Sequence, residues 1–182
     1  ARMMAAEPKF LLLDEPFSAL DTYLKEKLMQ EMMTYLSQFK KGVIMVSHSR
    51  DEVYQMCTDT AIMHQGILET VGKTKEIFDN PGTVNAARLT GCKNISKAEK
   101  LSESEVYALE WDIKLTFPEH IKIPSNLTHV GIRAHEIRPV KFSDIDNNTS
   151  IKLNMVDCQL KRISEAPFEM YLILQNKSGK NT

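Results

Sequence analysis

The sequence predicts an α/β domain over residues 1–91, followed by an all-β domain over residues 92–182. In the first part, short apolar strands alternate with helical patterns, which is typical of a parallel sheet with helices packed on it. In the second part, apolar residues fall on alternate positions and prolines separate the runs, which favours antiparallel strands in a small barrel or sandwich.

Composition excludes several classes of protein. The formal net charge of −1 provides no basic field that would attract nucleic acid or anionic lipid. No apolar run approaches the ~20 residues that a membrane helix needs. The cysteines Cys57, Cys92 and Cys158 lie far apart without a CxxC pair. This spacing argues against a disulfide framework and a zinc site, and favours a reducing compartment.

The segment FLLLDEPFSALD, residues 10–21, opens the α/β part. Residues 10–13 are predicted to form a strand that is buried on both faces, because all four are apolar. Asp21 has the chemistry of a helix N-cap. A stripe of apolar residues then predicts an amphipathic helix; these residues are Leu24, Leu28, Met32, Leu36 and Phe39. Gly42 is expected to end that helix, and residues 43–46 to form a second buried strand.

Shorter elements complete the predicted secondary structure. In the first part we expect a helix over residues 50–57, a hairpin turning at Gln65-Gly66, and a helix over 73–79 that ends before Asn80-Pro81-Gly82. In the second part the alternation in VYALEWDIKLTF predicts one strand, or a hairpin bent near Trp111-Asp112. Further strands are predicted over residues 129–133, 151–156 and 169–174.

Two adjacent carboxylates, Asp14 and Glu15, follow the first predicted strand. The carboxyl ends of parallel strands are where open α/β sheets bind ligands. One carboxylate there can hold Mg²⁺ directly or through water, and the other can orient or deprotonate an attacking water. The alternative is an acidic strand end that only caps the following turn.

A histidine follows the second predicted strand, in MVSHSRDEV at residues 45–53. If the two strands are neighbours, His48 and Glu15 open onto the same crevice, where an imidazole can contact a phosphate oxygen or polarise water. The alternative is a structural role for His48, with Ser47 and Ser49 shaping the turn into the next helix, whose N-terminus Asp51 and Glu52 favour.

These stretches resemble the ATP-hydrolysing subunits of ABC transporters: FLLLDEPFSALD is similar to their Walker B and D-loop region, and MVSHSRDEV to their switch-histidine loop. DTAIMHQGILETVGKTKEIFDNP also resembles the segment that follows, so the similarity covers residues 1 to about 90. The resemblance implies the cofactors ATP and Mg²⁺, with Asp14 in the Mg²⁺ shell, Glu15 as general base and His48 sensing the γ-phosphate. Ser18, Ala19, Leu20 and Asp21 would form the loop that meets a partner subunit.

The chain departs from this family in one large respect. No GxxxxGK[ST] motif occurs, and the glutamine loop and Ser-Gly-Gly signature are also missing. Ala1-Arg2 resembles the helix just after that signature. We therefore expect an incomplete P-loop NTPase (RecA-like) sheet, cut inside the catalytic domain, that is inactive by itself. We also expect it to cover an unpaired sheet edge by self-association, swapping or rearrangement.

The second part resembles the OB-like accessory domain, called TOBE, of importers for molybdate, sulfate, iron and similar solutes. LTGCKNI at 89–95 and VGIRAHEIRPV at 130–140 carry this resemblance, and the second stretch is most similar to subunits of molybdate, tungstate or sulfate importers. It implies a small β-barrel that pairs across a dimer and in some members binds the transported oxyanion. Candidate oxyanion ligands form three clusters whose alternative is a solvated surface: Lys93, Asn94 and Ser96; Arg133 and His135; and Lys161, Arg162 and Ser164.

Together the resemblances imply part of an ATP-hydrolysing ABC importer subunit. It would lie in the cytoplasm on the inner face of the membrane and bind a second copy of itself and transmembrane permease subunits. We expect no nucleic acid. The alternatives are an OB-like nucleic-acid-binding module, which needs a basic groove with stacking aromatics, and a purely structural dimerisation module. A metal site from His120, His129 and His135 is disfavoured, because the spacings suit no single face.

Overall fold

The structure, a computed structural model, describes residues 8–140 and 154–176. It divides the chain into two compact units, Ala1–Thr90 and Gly91–Thr182. Both are built from small sheets, and the first also carries helices, so the architecture is mixed α/β. No helix among the described residues is both long and apolar enough to cross a bilayer. Ala1 and Arg2, which resemble the helix just after the Ser-Gly-Gly signature, lie outside the described residues.

The first unit follows the predicted order of strands and helices as far as residue 79, and it then has a further helix over Val84–Leu89 that was not predicted. Its elements are β1 (Phe10–Asp14), α1 (Thr22–Gln38), β2 (Gly42–Val46), α2 (Arg50–Met56), β3 (Asp59–His64), β4 (Ile67–Lys73), α3 (Thr74–Asp79) and α4 (Val84–Leu89). β1 and β2 pair in parallel, and β3 and β4 form an antiparallel hairpin. The predicted hairpin is confirmed: Gln65 and Gly66 both adopt positive φ angles, 49° and 78°, as its two-residue turn requires.

The prediction that β1 and β2 are buried on both faces is wrong. Leu11 and Leu13 are buried, but Leu12 on the other face is 66% exposed, and Ile44 on β2 is 52% exposed. Among the described residues this sheet has only two strands. Two strands present too little surface for helices to cover on both sides, so one apolar face stays open.

The expected role of Gly42 is also wrong. The helix α1 ends at Gln38, and the Phe39 backbone N–H donates to the Leu36 carbonyl as its C-cap. Gly42 instead begins β2, where a Cβ atom would lie 2.5 Å from Cε2 of the Phe10 ring. The glycine therefore makes room for an aromatic ring on the neighbouring strand.

The second unit is almost entirely β. Its elements are β5 (Asn94–Lys100), β6 (Glu105–Ala108), β7 (Ile113–Thr116), β8 (His129–Ile132), a 3₁₀ turn (Ala134–Glu136), β9 (Cys158–Glu165) and β10 (Met170–Asn176). Four strands form one antiparallel sheet in the order β7-β6-β5-β8, and β9 pairs with β10 in a separate hairpin. The predicted bend near Trp111 is confirmed, because Asp112 turns the chain with a φ of 55°.

The four-stranded sheet is organised around β5. The first half of β5 pairs with β8 and the second half pairs with β6, which joins two ladders into one sheet. Its core contains Ala98, Val106 and Ile123, with Phe117, Leu127 and Val130 packed against them. Val106 is only 1% exposed.

The expected OB-like barrel is not confirmed, since no closed barrel is found among the described residues. Both β5 and β9 were missed, because polar and charged residues interrupt their apolar alternation. The strand expected over 151–156 lies partly outside the described residues, and residues 154–156 belong to no strand.

Candidate functional site

Two strand ends meet at one edge of the first unit. β1 ends at Asp14 and β2 ends at Val46, and these two residues are register partners in the parallel pair. The residues that follow each strand therefore lie side by side. Parallel pairing is what brings Glu15 and His48 together, although 33 positions separate them in sequence.

Glu15 has an unusual backbone conformation for a residue other than glycine. Its φ of 44° lies in the left-handed region, which side chains with a Cβ adopt at a cost. Its N–H donates to the Val46 carbonyl at 2.9 Å, and its own carbonyl accepts from Ser18 N at 3.2 Å and Ser18 Oγ at 3.0 Å. Strained backbone of this kind persists only where surrounding contacts fix it, and it clusters at functional sites.

The Glu15 carboxylate contacts His48 twice. Oε2 lies 2.7 Å from His48 Nδ1, and Oε1 accepts the His48 backbone N–H at 3.0 Å. The Nδ1 contact requires a proton on Nδ1 and leaves Nε2 as the ring nitrogen available to a ligand. The His48 side chain is 77% exposed, so a ligand can reach it.

Asp14 sits beside this pair with an exposed side chain. Within residues 8–140 and 154–176, no side chain forms an ion pair or hydrogen bond with its carboxylate. Mg²⁺ is bound through one or two carboxylates together with water and phosphates, so Asp14 and Glu15 fit it as oxygen donors. In the part of the chain that the structure describes, no group of three or more His, Cys, Asp or Glu could hold a metal unaided.

Ser18 and Asp21 stabilise the turn between β1 and α1. Ser18 holds the Glu15 carbonyl, and Asp21 Oδ1 accepts from Leu24 N at 2.9 Å, which confirms the predicted N-cap of α1. Between the strand and these residues, Phe17 is buried, with 2% of its surface exposed. Phe17 was not among the residues predicted from the sequence, although an aromatic residue directly after Asp-Glu-Pro is a visible signal.

A second set of contacts, also missed, surrounds the loop that carries His48. Ser47 Oγ donates to Glu52 Oε2 at 2.5 Å and accepts from Ser49 N at 3.0 Å. Lys25 Nζ, from α1, lies 2.6 Å from Glu52 Oε1. Burial acts to raise the pKa of Glu52, but the hydrogen bonds from Lys25 and Ser47 and the Lys25 charge outweigh it, so this pKa lies below its ordinary value of 4.5.

The proposed oxyanion ligands of the second unit are only partly brought together. Asn94 and Ile132 are register partners, so Lys93, before β5, and Arg133, after β8, lie at the same end of the two strands. Lys93 Nζ lies 5.6 Å from the centre of the Tyr171 ring. His135 is exposed on the 3₁₀ turn that follows.

Other candidates of the second unit already have partners or lie apart. Ser96 is fully buried; its hydroxyl donates to the Lys97 carbonyl at 2.8 Å and accepts from Glu110 N at 2.9 Å. The cluster Lys161, Arg162 and Ser164 lies exposed or half-buried on β9.

Comparison with known proteins identifies relatives with one shared role. No protein-family model matches the chain. The spermidine/putrescine import ATP-binding protein of Mycoplasmopsis synoviae is 34% identical over 65% of this chain and 26% of its own length. The molybdate/tungstate import ATP-binding protein of Pyrococcus abyssi is 32% identical over 79% of this chain and 41% of its own length. The sulfate/thiosulfate import ATP-binding protein of Thermosynechococcus vestitus is 32% identical over 75% of this chain and 41% of its own length.

All three relatives are import ATP-binding proteins, which confirms the expected kinship in this general form. The chain spans between about a quarter and two fifths of the length of these relatives.

The lowered pKa of Glu52 predicts how stability responds to acid. A carboxylate with a depressed pKa stabilises the fold above its ordinary pKa, and this contribution is lost as the pH falls through the lowered value. Between about pH 6 and about pH 3, the free energy of unfolding of the wild type should therefore fall further than that of Glu52→Gln. Urea denaturation at each pH measures this difference.

The matched control is Asp51→Asn, one residue away in the same helical turn, with a side chain that is 75% exposed. This variant should follow the wild type across the pH range. Parallel curves for the wild type and Glu52→Gln would contradict the assignment of Glu52 as a stabilising carboxylate.

Proposed function

We propose that this chain is part of the ATP-binding, ATP-hydrolysing subunit of an ABC importer. The observation that carries the proposal is the double contact of Glu15 with His48 at the carboxyl end of two parallel strands. That edge is where sheets of this kind bind nucleotides. The import ATP-binding proteins among the relatives support the same reading.

In this proposal the three residues of the site have different roles. Asp14 would hold Mg²⁺ through water, and the bound ion would neutralise charge on the phosphates. Glu15 accepts a proton from the attacking water, since its carboxylate is oriented by two contacts. His48 keeps Glu15 in place through Nδ1 and its backbone N–H, while Nε2 contacts the terminal phosphate.

The proposed function requires a phosphate cradle that these 182 residues do not encode, because no GxxxxGK[ST] motif occurs in them. Without such backbone donors and the motif's lysine, the site described above offers MgATP the side chains of Asp14, Glu15 and His48 but no cradle for its phosphates. We therefore propose that the 182-residue chain alone neither binds MgATP tightly nor hydrolyses it.

The proposed partners are a second copy of the chain and permease subunits at the cytoplasmic face of a membrane. The turn of residues 18–21 is largely exposed beside the site, as a loop that reaches a second subunit must be. The open face of the β1–β2 sheet, with Leu12 and Ile44 exposed, supports self-association.

We propose an oxyanion such as molybdate, tungstate or sulfate as the solute. The relatives that import these anions match a larger share of the chain than the spermidine/putrescine relative does. The second unit would bind the same anion as a signal, through Lys93, Asn94, Arg133 and His135 at one end of β5 and β8. Ser96 would contribute by anchoring β5 rather than by donating to the anion.

The ATPase proposal predicts a dependence on Glu15 once a cradle is supplied. In a hybrid with the cradle-bearing N-terminal segment of a relative joined before residue 1, Glu15→Gln should lower steady phosphate release at least about 100-fold, because the general base is lost. The matched control, Glu26→Gln, removes an exposed carboxylate on α1 and should leave the rate unchanged. Equal rates for the hybrid and its Glu15→Gln variant would overturn the proposal.

The chain without that segment is a second arm of the same experiment. It should release no phosphate above background. Steady release by the 182-residue chain that Glu15→Gln abolishes would contradict its proposed inactivity, while leaving the role of Glu15 intact.

The oxyanion proposal predicts a specific response to tungstate. Titration of the 182-residue chain should shift the backbone amide NMR signals of Lys93, Asn94 and His135, and Arg133→Gln should weaken this response at least about fivefold, because a charge-assisted contact is lost. The matched control, Lys122→Gln, removes an exposed cation elsewhere in the same unit. Unchanged signals up to millimolar tungstate would remove the regulatory site.

A further inference from the structure

The loop that carries His48 is fixed by side chains that take no part in the chemistry proposed above. Ser47 Oγ bridges the loop: it donates to the carboxylate of Glu52 at 2.5 Å and accepts the backbone N–H of Ser49 at 3.0 Å. Ser47 and Ser49, in the loop before α2, therefore form a closed ring of contacts with Glu52 in the first turn of that helix.

Glu52 lies where a capping box would place its third helical residue, yet it does not cap in the usual way. Ser49, the N-cap of α2, makes no side-chain capping hydrogen bond. The Glu52 carboxylate reaches past Ser49 to the Ser47 hydroxyl, one residue before His48. The Glu52 side chain is only 4% exposed, and burying a carboxylate is costly unless its partners satisfy it. The arrangement thus places a buried carboxylate in contact with the loop that carries His48.

The cation that neutralises Glu52 comes from another part of the site. Lys25 lies in the first turn of α1, directly after the turn of residues 18–21, and its Nζ contacts Glu52 Oε1 at 2.6 Å and Ser49 Oγ at 3.4 Å. Lys25 thereby connects the helix that follows the Ser18–Asp21 turn to the loop that follows β2.

The two glutamates contact adjacent residues of the same loop. Glu15 accepts the backbone N–H of His48, and Glu52, through Ser47, holds the backbone N–H of Ser49. We propose that Glu52, Ser47 and Lys25 are positioning residues: they set the place of the His48 backbone and couple it to the Ser18–Asp21 turn. This inference rests on the proposed function, because the position of His48 affects activity only if His48 contacts the nucleotide.

Amide hydrogen exchange in the 182-residue chain tests the inference without nucleotide. In Ser47→Ala the backbone amides of His48 and Ser49 should exchange about tenfold faster, the factor expected when one hydrogen bond is lost. Ser47→Thr keeps the hydroxyl and should restore wild-type exchange. Asp51→Asn, in the same turn but outside the ring of contacts, should leave both amides unchanged.

A second pair of variants tests the connection to α1. Lys25→Met should speed exchange at Ser49, whereas Lys27→Met, an exposed lysine two positions along, should not. The amides of the β3–β4 hairpin report on the fold, and they should stay at wild-type rates in every variant. If Ser47→Ala also speeds amide exchange in the β3–β4 hairpin, that variant has disturbed the fold. The comparison of Lys25→Met with Lys27→Met then tests the inference.

Two results would overturn the inference: unchanged exchange at His48 and Ser49 in both Ser47→Ala and Lys25→Met, or an equal increase in the Asp51→Asn and Lys27→Met controls. Neither result would contradict the ATPase proposal, because that proposal depends on Glu15. Conversely, the exchange pattern can hold even if the hybrid shows no dependence on Glu15.

Discussion

The parallel pairing of β1 with β2 is the interaction on which the rest of the first unit depends. Its register sets Asp14 opposite Val46, and the Glu15 N–H extends the ladder by one further hydrogen bond, to the Val46 carbonyl. A slip by one residue would turn Leu11 and Leu13 out of the core and shift the two chain segments that form the site out of alignment. The buried leucines thus select the register, and the register assembles the site.

Once the strands are paired, the first unit places two carboxylates in different surroundings. Glu15 is partly exposed, beside an imidazole that a ligand can reach, whereas Glu52 is buried and neutralised by Lys25. An exposed carboxylate can take a proton from water, and a buried ion pair holds geometry at a cost in desolvation. The strained backbone of Glu15 is held in place by its contacts with Ser18 and by its hydrogen bond to the Val46 carbonyl.

Local chemistry was predictable from sequence, while features that depend on distant chain segments were not. Gln65-Gly66 and Asp21 follow rules of turn and cap chemistry, and both predictions are confirmed. The exposure of Leu12 could not be read from its strand, since it depends on how many strands join the sheet. Gly42 misled for a similar reason: its neighbour across the sheet, not its place after a helix, explains it. In the site, Lys25 and Glu52 stayed hidden because 27 positions separate them.

The central claim is that strand pairing brings the Glu15 carboxylate against His48 in the folded chain. Nuclear Overhauser contacts in the 182-residue chain measure this most directly. The account predicts contacts from the His48 amide proton to the Glu15 side-chain methylenes, together with backbone contacts between Leu13 and Met45 in the parallel register. Clear contacts between Leu13 and Met45 without any between Glu15 and His48 would contradict it, as would an antiparallel pattern.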